Sequence, residues 1–369
     1  MLQLIMNNTF IKLFCVFIIL FCCCKKTNEN NQNKVEIIKG FYVAIEKVGE
    51  IYLEEKEGNL IGLIHRFEVN LKYKNILITD PIFSEIKVYN NDGKPLRIIG
   101  KKGSGPGEFK GIVGITQDSL YIYAVDAELR RIYKFNREGD LISSINSPSS
   151  IYLSPGEIMI RENKMYISTF EAKYKPVDET YKVKPIAVMD TSGNILYHFG
   201  NYDDIYKKFR INWSTTCFDI DDRGNTYLTN YVSWKIFKYD QDERLTLTLG
   251  VKGNNFLEMK ESLKGGETRA ELNKIFIRRS SVMKMEVADY VYFQYTNTTE
   301  KALQTRSRLD YHHYLMVYTK DGVYIQSDIK LPGGGMLDVD NEGIIYIELS
   351  DEPGNRIIGK YKIKIVDED

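Results

Sequence analysis

Asp80, Asp126 and Asn230 are the polar residues whose spacing suggests shared chemistry. Each stands six residues before an aliphatic residue that is followed, three positions on, by an aromatic: Ile86 and Tyr89, Ile132 and Phe135, Ile236 and Tyr239. Equivalent positions of a repeat converge when the repeat is arranged about an axis. Two carboxylates and a carboxamide could then gather at a channel mouth to hold a ligand, or imitate a calcium site. Arg130, Arg131 and Trp234 lie in the same turns and would add charge and a stacking surface. The competing reading is local: Asp and Asn are favoured in turns because their side chains cap their own backbone.

Other chemistry finds less support. The four histidines are His65, His198, His312 and His313. The last two are adjacent, and adjacent residues of a strand point to opposite faces, so they cannot share one metal site if that segment is extended. No Gly-x-Ser-x-Gly elbow is present to carry a nucleophile. Cys217 falls in an apolar run and reads as a packed core thiol. The Gly103–Gly107 stretch lacks the Gly-Lys-Ser/Thr ending of a phosphate loop and opens no helix. No residue is therefore assigned a catalytic role.

The elements that must position these residues are short runs of Ile, Val, Tyr and Phe bounded by Gly, Asp, Asn and Pro, which is the pattern of strands and turns. A pair of an aliphatic residue and, three positions on, an aromatic or Met recurs six times: Ile86/Tyr89, Ile132/Phe135, Ile186/Met189, Ile236/Tyr239, Leu315/Tyr318 and Ile358/Tyr361. A Gly follows four residues later at Gly93, Gly139, Gly193 and Gly322, with Glu243 in its place in the fourth copy. Copies at roughly 50-residue intervals indicate a propeller or another array. In the second copy Ile112–Thr116, Leu120–Val125, Ile132–Asn136 and Leu141–Ile145 read as four strands. In the fourth, Cys217–Ile220, Thr226–Thr229, Ile236–Tyr239 and Leu245–Leu249 do the same. The expected fold is all-β: a six-bladed β-propeller with four-stranded antiparallel blades, closed by a strand from within Val35–Leu53. Three segments stretch the period: Lys173–Lys184, Val251–Lys274 and Thr296–Tyr311, with short helices expected at Glu258–Leu263 and Thr268–Ile275. Long insertions on a rigid scaffold are where binding tends to reside.

The amino-terminal residues read differently. Lys12 precedes the apolar run Leu13–Phe21, which ends in Cys22-Cys23-Cys24 and two lysines. A short positive region before a short apolar stretch marks a secretory signal, and the run is too short to span a bilayer. Leu20-Phe21-Cys22-Cys23 resembles a bacterial lipobox, pointing to lipidation at Cys23, with Cys24 and Cys22 as alternatives. The expected organisation is a signal and anchor over 1–24, a tether over 25–34 rich in Asn and Lys, and the propeller over 35–369. Beyond the anchor cluster only Cys217 remains, so stability must come from packing and not from disulfides. Fifty basic and fifty acidic residues leave no net charge, which gives no electrostatic case for nucleic acid.

The segment Gly103-Ser-Gly-Pro-Gly-Glu-Phe109 resembles a signature of NHL-type propellers. With Ile51–Gly62, Ile99–Phe109 and the lipobox, the chain is similar to the six-bladed β-propeller lipoproteins of Bacteroidota. That resemblance implies a lipid-anchored protein of the cell envelope, expected at the outer membrane, that binds or senses a glycan, a peptide or another envelope protein. The alternative it leaves open is a lyase- or lactonase-type propeller enzyme with a metal at the central channel.

Overall fold

The computed structural model describes residues 41–171, 179–211, 213, 215–263 and 266–367. The residue pattern builds twenty-four strands among these, hydrogen-bonded into six four-stranded antiparallel sheets. Blade one runs from β2 (Arg66–Asn70) through β3 (Asn75–Asp80) and β4 (Glu85–Asn90) to β5 (Pro95–Ile99). Blades two to five repeat the order: β6–β9 within Ile112–Asn146, β10–β13 within Ile151–Phe199, β14–β17 within Thr216–Leu249, and β18–β21 within Ser280–Lys330. The sixth combines β22 (Met336–Val339), β23 (Ile344–Ser350) and β24 (Arg356–Asp367) with β1 (Phe41–Leu53) as its outermost strand. β1 pairs with β24 from Phe41 against Asp367 to Leu53 against Arg356, broken once by a register shift between Lys47 and Gly49. The ring is therefore closed by the front of the chain.

The repeated pair explains how the blades hold together. Every copy lies on the third strand of its blade, and the six aliphatic anchors are at most 1 % exposed. A strand alternates faces with a period of two, so an offset of three sends the two members to opposite faces. Ile86 packs with Ile115 and Ala124 of the following blade, whereas Tyr89 packs with Tyr346 and Ile358 of the preceding one. Ile132 and Phe135, Ile186 and Met189, and Ile236 and Tyr239 divide in the same way. Leu315 reaches blade six while Tyr318 packs in the cluster shared with blade four, and Ile358 with Tyr361 closes the circle. The core is thus six inter-blade layers, each sharing residues with two sheets.

The turn that follows each of the first five pairs needs a left-handed residue. Gly93 and Gly139 have φ of 85° and 97°; Glu243 holds φ 56° at the same place and accepts a 2.5 Å bond from the Tyr197 hydroxyl. The expected helix at Thr268–Ile275 is present as Arg269–Ile277, started by a Thr268–Glu271 capping box. The expected helix at Glu258–Leu263 is not formed. The segment is held from its ends: the Ser280 N–H donates to the carbonyl of the preceding Leu257 and the Leu263 N–H to the Phe209 carbonyl, while Met259 and Leu263 are buried. No helix among the described residues is long and apolar enough to cross a membrane.

Candidate functional site

Strand order fixes where the added segments go. With the first strand of each blade innermost and each following strand antiparallel, links between second and third strands share one face with links between blades. Links between first and second strands share the other. Every enlarged link is of the first kind. Among the described residues three short helices lie in them: α1 (Asp204–Phe209) between blades three and four, α2 (Arg269–Ile277) between four and five, and α3 (Glu300–Thr305) within blade five. The opposite face carries tight turns such as Asp221–Asn225 and Asp340–Ile344, in which an Asp carboxylate takes two backbone N–H groups of its own turn.

The elaborated face has its own core. Tyr202, Tyr206 and Ile211 from the α1 segment pack with Met259 and Leu263 from the α2 segment and with Phe170, Val183 and Val232 from blade links. Between α2 and α3 lies a cavity of about 390 Å³. Tyr231, Phe276 and Met283 line it, with Leu272 from α2 and Leu303 from α3. Arg269 and Arg306 stand at its edge, and its wall contains no Asp or Glu.

Directly beneath is Arg279, 1 % exposed. Its guanidinium carbon lies 4.2 Å from the Trp213 ring centre, 4.8 Å from Tyr231 and 4.9 Å from Phe276. Its Nη1 donates to the Ser280 carbonyl and to Ser281 Oγ, at 3.1 and 2.7 Å, while Nε and Nη2 have no partner among the described residues. Burial holds this arginine below its ordinary pKa.

The residues singled out by spacing have other occupations. Asp80 is fully buried and its carboxylate accepts from the Gly62 and Leu63 N–H groups, at 2.7 and 3.3 Å, and from Ile82 and Phe83 of its own turn. Asp126, equally buried, accepts from Lys110, Gly111 and Leu129, and Asn230 accepts from the Asp203 N–H at 2.8 Å. All three clasp the link entering their own blade, and they are turned to separate links instead of a common point. Arg130 donates to the Pro148 and Ile151 carbonyls and Arg131 to the Ser104 carbonyl. Trp234 packs against the layer between blades four and five. Cys217 is buried, which pushes its thiol up to about 12. His312 is exposed and His313 buried, on opposite faces of their strand. Cys22, Cys23 and Cys24 lie outside the described residues. Among the described residues no group of three or more His, Cys, Asp or Glu is arranged to hold a metal.

The central channel has a charged lining that the spacing of the repeat does not mark. The inner strands enclose a channel that widens to about 700 Å³ on the tight-turn face. Glu68, Glu157, Asp219, Glu286 and Asp338 line it together with Arg66 and Lys284. Arg66 pairs with Glu157 at 2.8 Å and Lys284 with Glu286 at 2.5 Å. Asp219 and Asp338 accept backbone N–H groups from the neighbouring inner strands, Val287 and Val69, each at 2.6 Å. Burial, aided by the Glu286 charge, raises Asp219 and Asp338 well above the ordinary carboxylate range, and burial pushes Glu68 up to about 7. Glu157 is held low, because Arg66 and Lys284 outweigh its burial. The signal was in the sequence as charged residues two apart on β2 and on β18 (Ser280–Val287), Arg66-x-Glu68 and Lys284-x-Glu286.

A family profile described as a 6-bladed beta-propeller, DUF5128, matches residues 26–327. A Bacteroides vulgatus structure of the DUF4221 family is similar over 88 % of this chain and 99 % of its own, at 14 % identity and a TM-score of 0.65. A candidate exported protein of Bacteroides fragilis is similar over 90 % of this chain and 98 % of its own, at 15 % identity and a TM-score of 0.53. At such identities the likeness concerns the fold. No curated protein matches the sequence.

Proposed function

The chain belongs to the DUF5128 family of six-bladed β-propellers, and from that premise we propose that it is an envelope binding module, its elaborated face presented to a ligand or partner. One observation carries this reading: the helical additions described rise on the same face, and those of the α1 and α2 segments share a hydrophobic core of their own. Additions that merely lengthen loops need no second core. Here buried aromatic and aliphatic side chains fix the links as a platform, which is how a rigid scaffold presents a binding surface. Glycans, peptides and other envelope proteins are the occupants proposed for it.

The anchor belongs to the same proposal. The apolar run before Cys22–Cys24 supports export and lipidation at Cys23, with Cys24 or Cys22 as the alternative acceptor. The similar Bacteroides fragilis structure is itself a candidate exported protein, which supports an envelope location. Changing all three cysteines to Ser should release the protein from the membrane fraction; retention there would overturn lipidation.

Binding is tested with residues 35–369 as a soluble protein. Glycan arrays, peptide arrays and envelope extracts would be compared with a variant in which residues 298–311 are replaced by a short Gly-Asn turn. Binding that disappears in the variant supports the reading. Binding that is unchanged moves the function to the other face, and no binding by either protein overturns the module.

A further inference from the structure

We infer that the cavity between α2 and α3 is a site for a small amphipathic anion, a carboxylate carried on an acyl or aromatic body. The inference rests on reading this face as the binding surface and names the chemistry that the face selects.

The first argument is charge. Three carboxylates of the surrounding segments are already engaged. Glu271 accepts from Thr268 in the capping box, Glu261 pairs with Arg278 at 3.1 Å, and Asp310 with Lys301 at 2.5 Å. Arg269 and Arg306 remain exposed at the cavity edge, with no ion pair among the described residues. Arg279 adds a third positive charge under the floor. No carboxylate neutralises it among the described residues, and two of its nitrogens lack acceptors. A buried, unpaired cation is costly. Its field reaches the cavity through aromatic side chains and not through water, so it is weakly screened there. An anion seated above Tyr231 and Phe276 would lower that cost.

The second argument is shape. Arg269 opens α2 and Arg306 caps α3, so a forked acceptor at the cavity edge is offered one guanidinium from each segment. Beyond it the walls are apolar: Leu272, Phe276, Met283 and Leu303, with the Tyr231 and Tyr311 rings. The volume lies within the range of small-molecule sites. A bare inorganic anion would leave this apolar surface wet, and an uncharged apolar molecule would leave the arginines unmatched.

The test uses decanoate as probe, with decanol and inorganic phosphate as controls, by calorimetric titration of the 35–369 protein. Decanoate should bind, more weakly as salt rises. Decanol and phosphate should each bind at least about tenfold more weakly, since one charge-assisted contact is worth about that factor. Arg269→Gln and Arg306→Gln lie on exposed positions and should each lose about tenfold. Met283→Trp, at a half-exposed wall position, should block the cavity while leaving the blades folded. Equal affinity for decanol, unchanged affinity in both arginine variants, or no binding of any probe would overturn the site. If decanoate fails while the loop-shortened variant still loses its array or extract binding, the anion assignment falls and the binding face stands.

Discussion

At the scale of single residues, the polar side chains that spacing marks as equivalent serve the fold. Asp80, itself buried, gathers four backbone N–H groups of the entering link and of its own turn. Asp80→Ala would leave those donors without acceptors and should cost about 3 kcal/mol in denaturant unfolding, with Asp80→Asn recovering part of it. A loss below about 0.5 kcal/mol would show that water replaces the carboxylate easily. Arg279 makes the opposite kind of prediction. Its planar group is stacked among three rings, so Arg279→Lys keeps the charge but loses the stacking, and a loss of about 1–2 kcal/mol is expected. An unchanged unfolding midpoint would remove the stacking argument.

At the scale of elements, the aliphatic–aromatic pair has a spacing that only a strand can use. An odd offset places one member in each of two inter-blade layers, so every third strand binds its sheet to both neighbours. The repeat was visible in the sequence; that its two halves face different partners was not, because period alone does not say which blade lies on which side. The closing strand follows the same logic. Removing residues 41–53 takes away the outer partner of β24 and exposes that edge. Such a truncation should lose cooperative unfolding and aggregate, whereas a chain starting at residue 35 should unfold in one transition. A truncated protein that stays monomeric and cooperative would show that the ring closes by other contacts. The Glu258–Leu263 segment marks where local reading fails. Its apolar spacing suits a helix, yet the segment is held from its ends.

At the scale of the whole molecule, the channel sets a pH dependence that no single blade would have. Glu68 is drawn from inner-strand positions facing Lys284 and Glu286 across the axis, and its pKa is raised from 4.5 to about 7. A carboxyl with a raised folded pKa holds a proton that the unfolded chain has already released. Its stabilisation is complete below pH 4.5 and is lost as pH climbs to 7. The buried histidines His65 and His313, both lowered to about 4, act oppositely and favour the folded state above their ordinary 6.5. The difference between the native protein and Glu68→Gln isolates the carboxyl. The native protein should gain on the variant by about 1 kcal/mol between pH 7 and pH 4.5, the open channel screening the rest. A difference that grows in the other direction would show that Glu68 is ionised when folded.

What the sequence determined was whatever is carried by local order and period: strands of four to a unit, six units, the strand that closes them, and the segments that break the rhythm. These follow from side-chain alternation and turn chemistry, which act over a few residues. What only the tertiary structure decided was where side chains from distant segments meet. Asp80 and Asp126 turned out to hold their own links. The charged channel took residues from five blades, and Arg279 came to lie beneath a cavity that two separate insertions enclose. Burial and convergence depend on the whole ring being closed, and a linear chain does not record which of its polar residues will share a space.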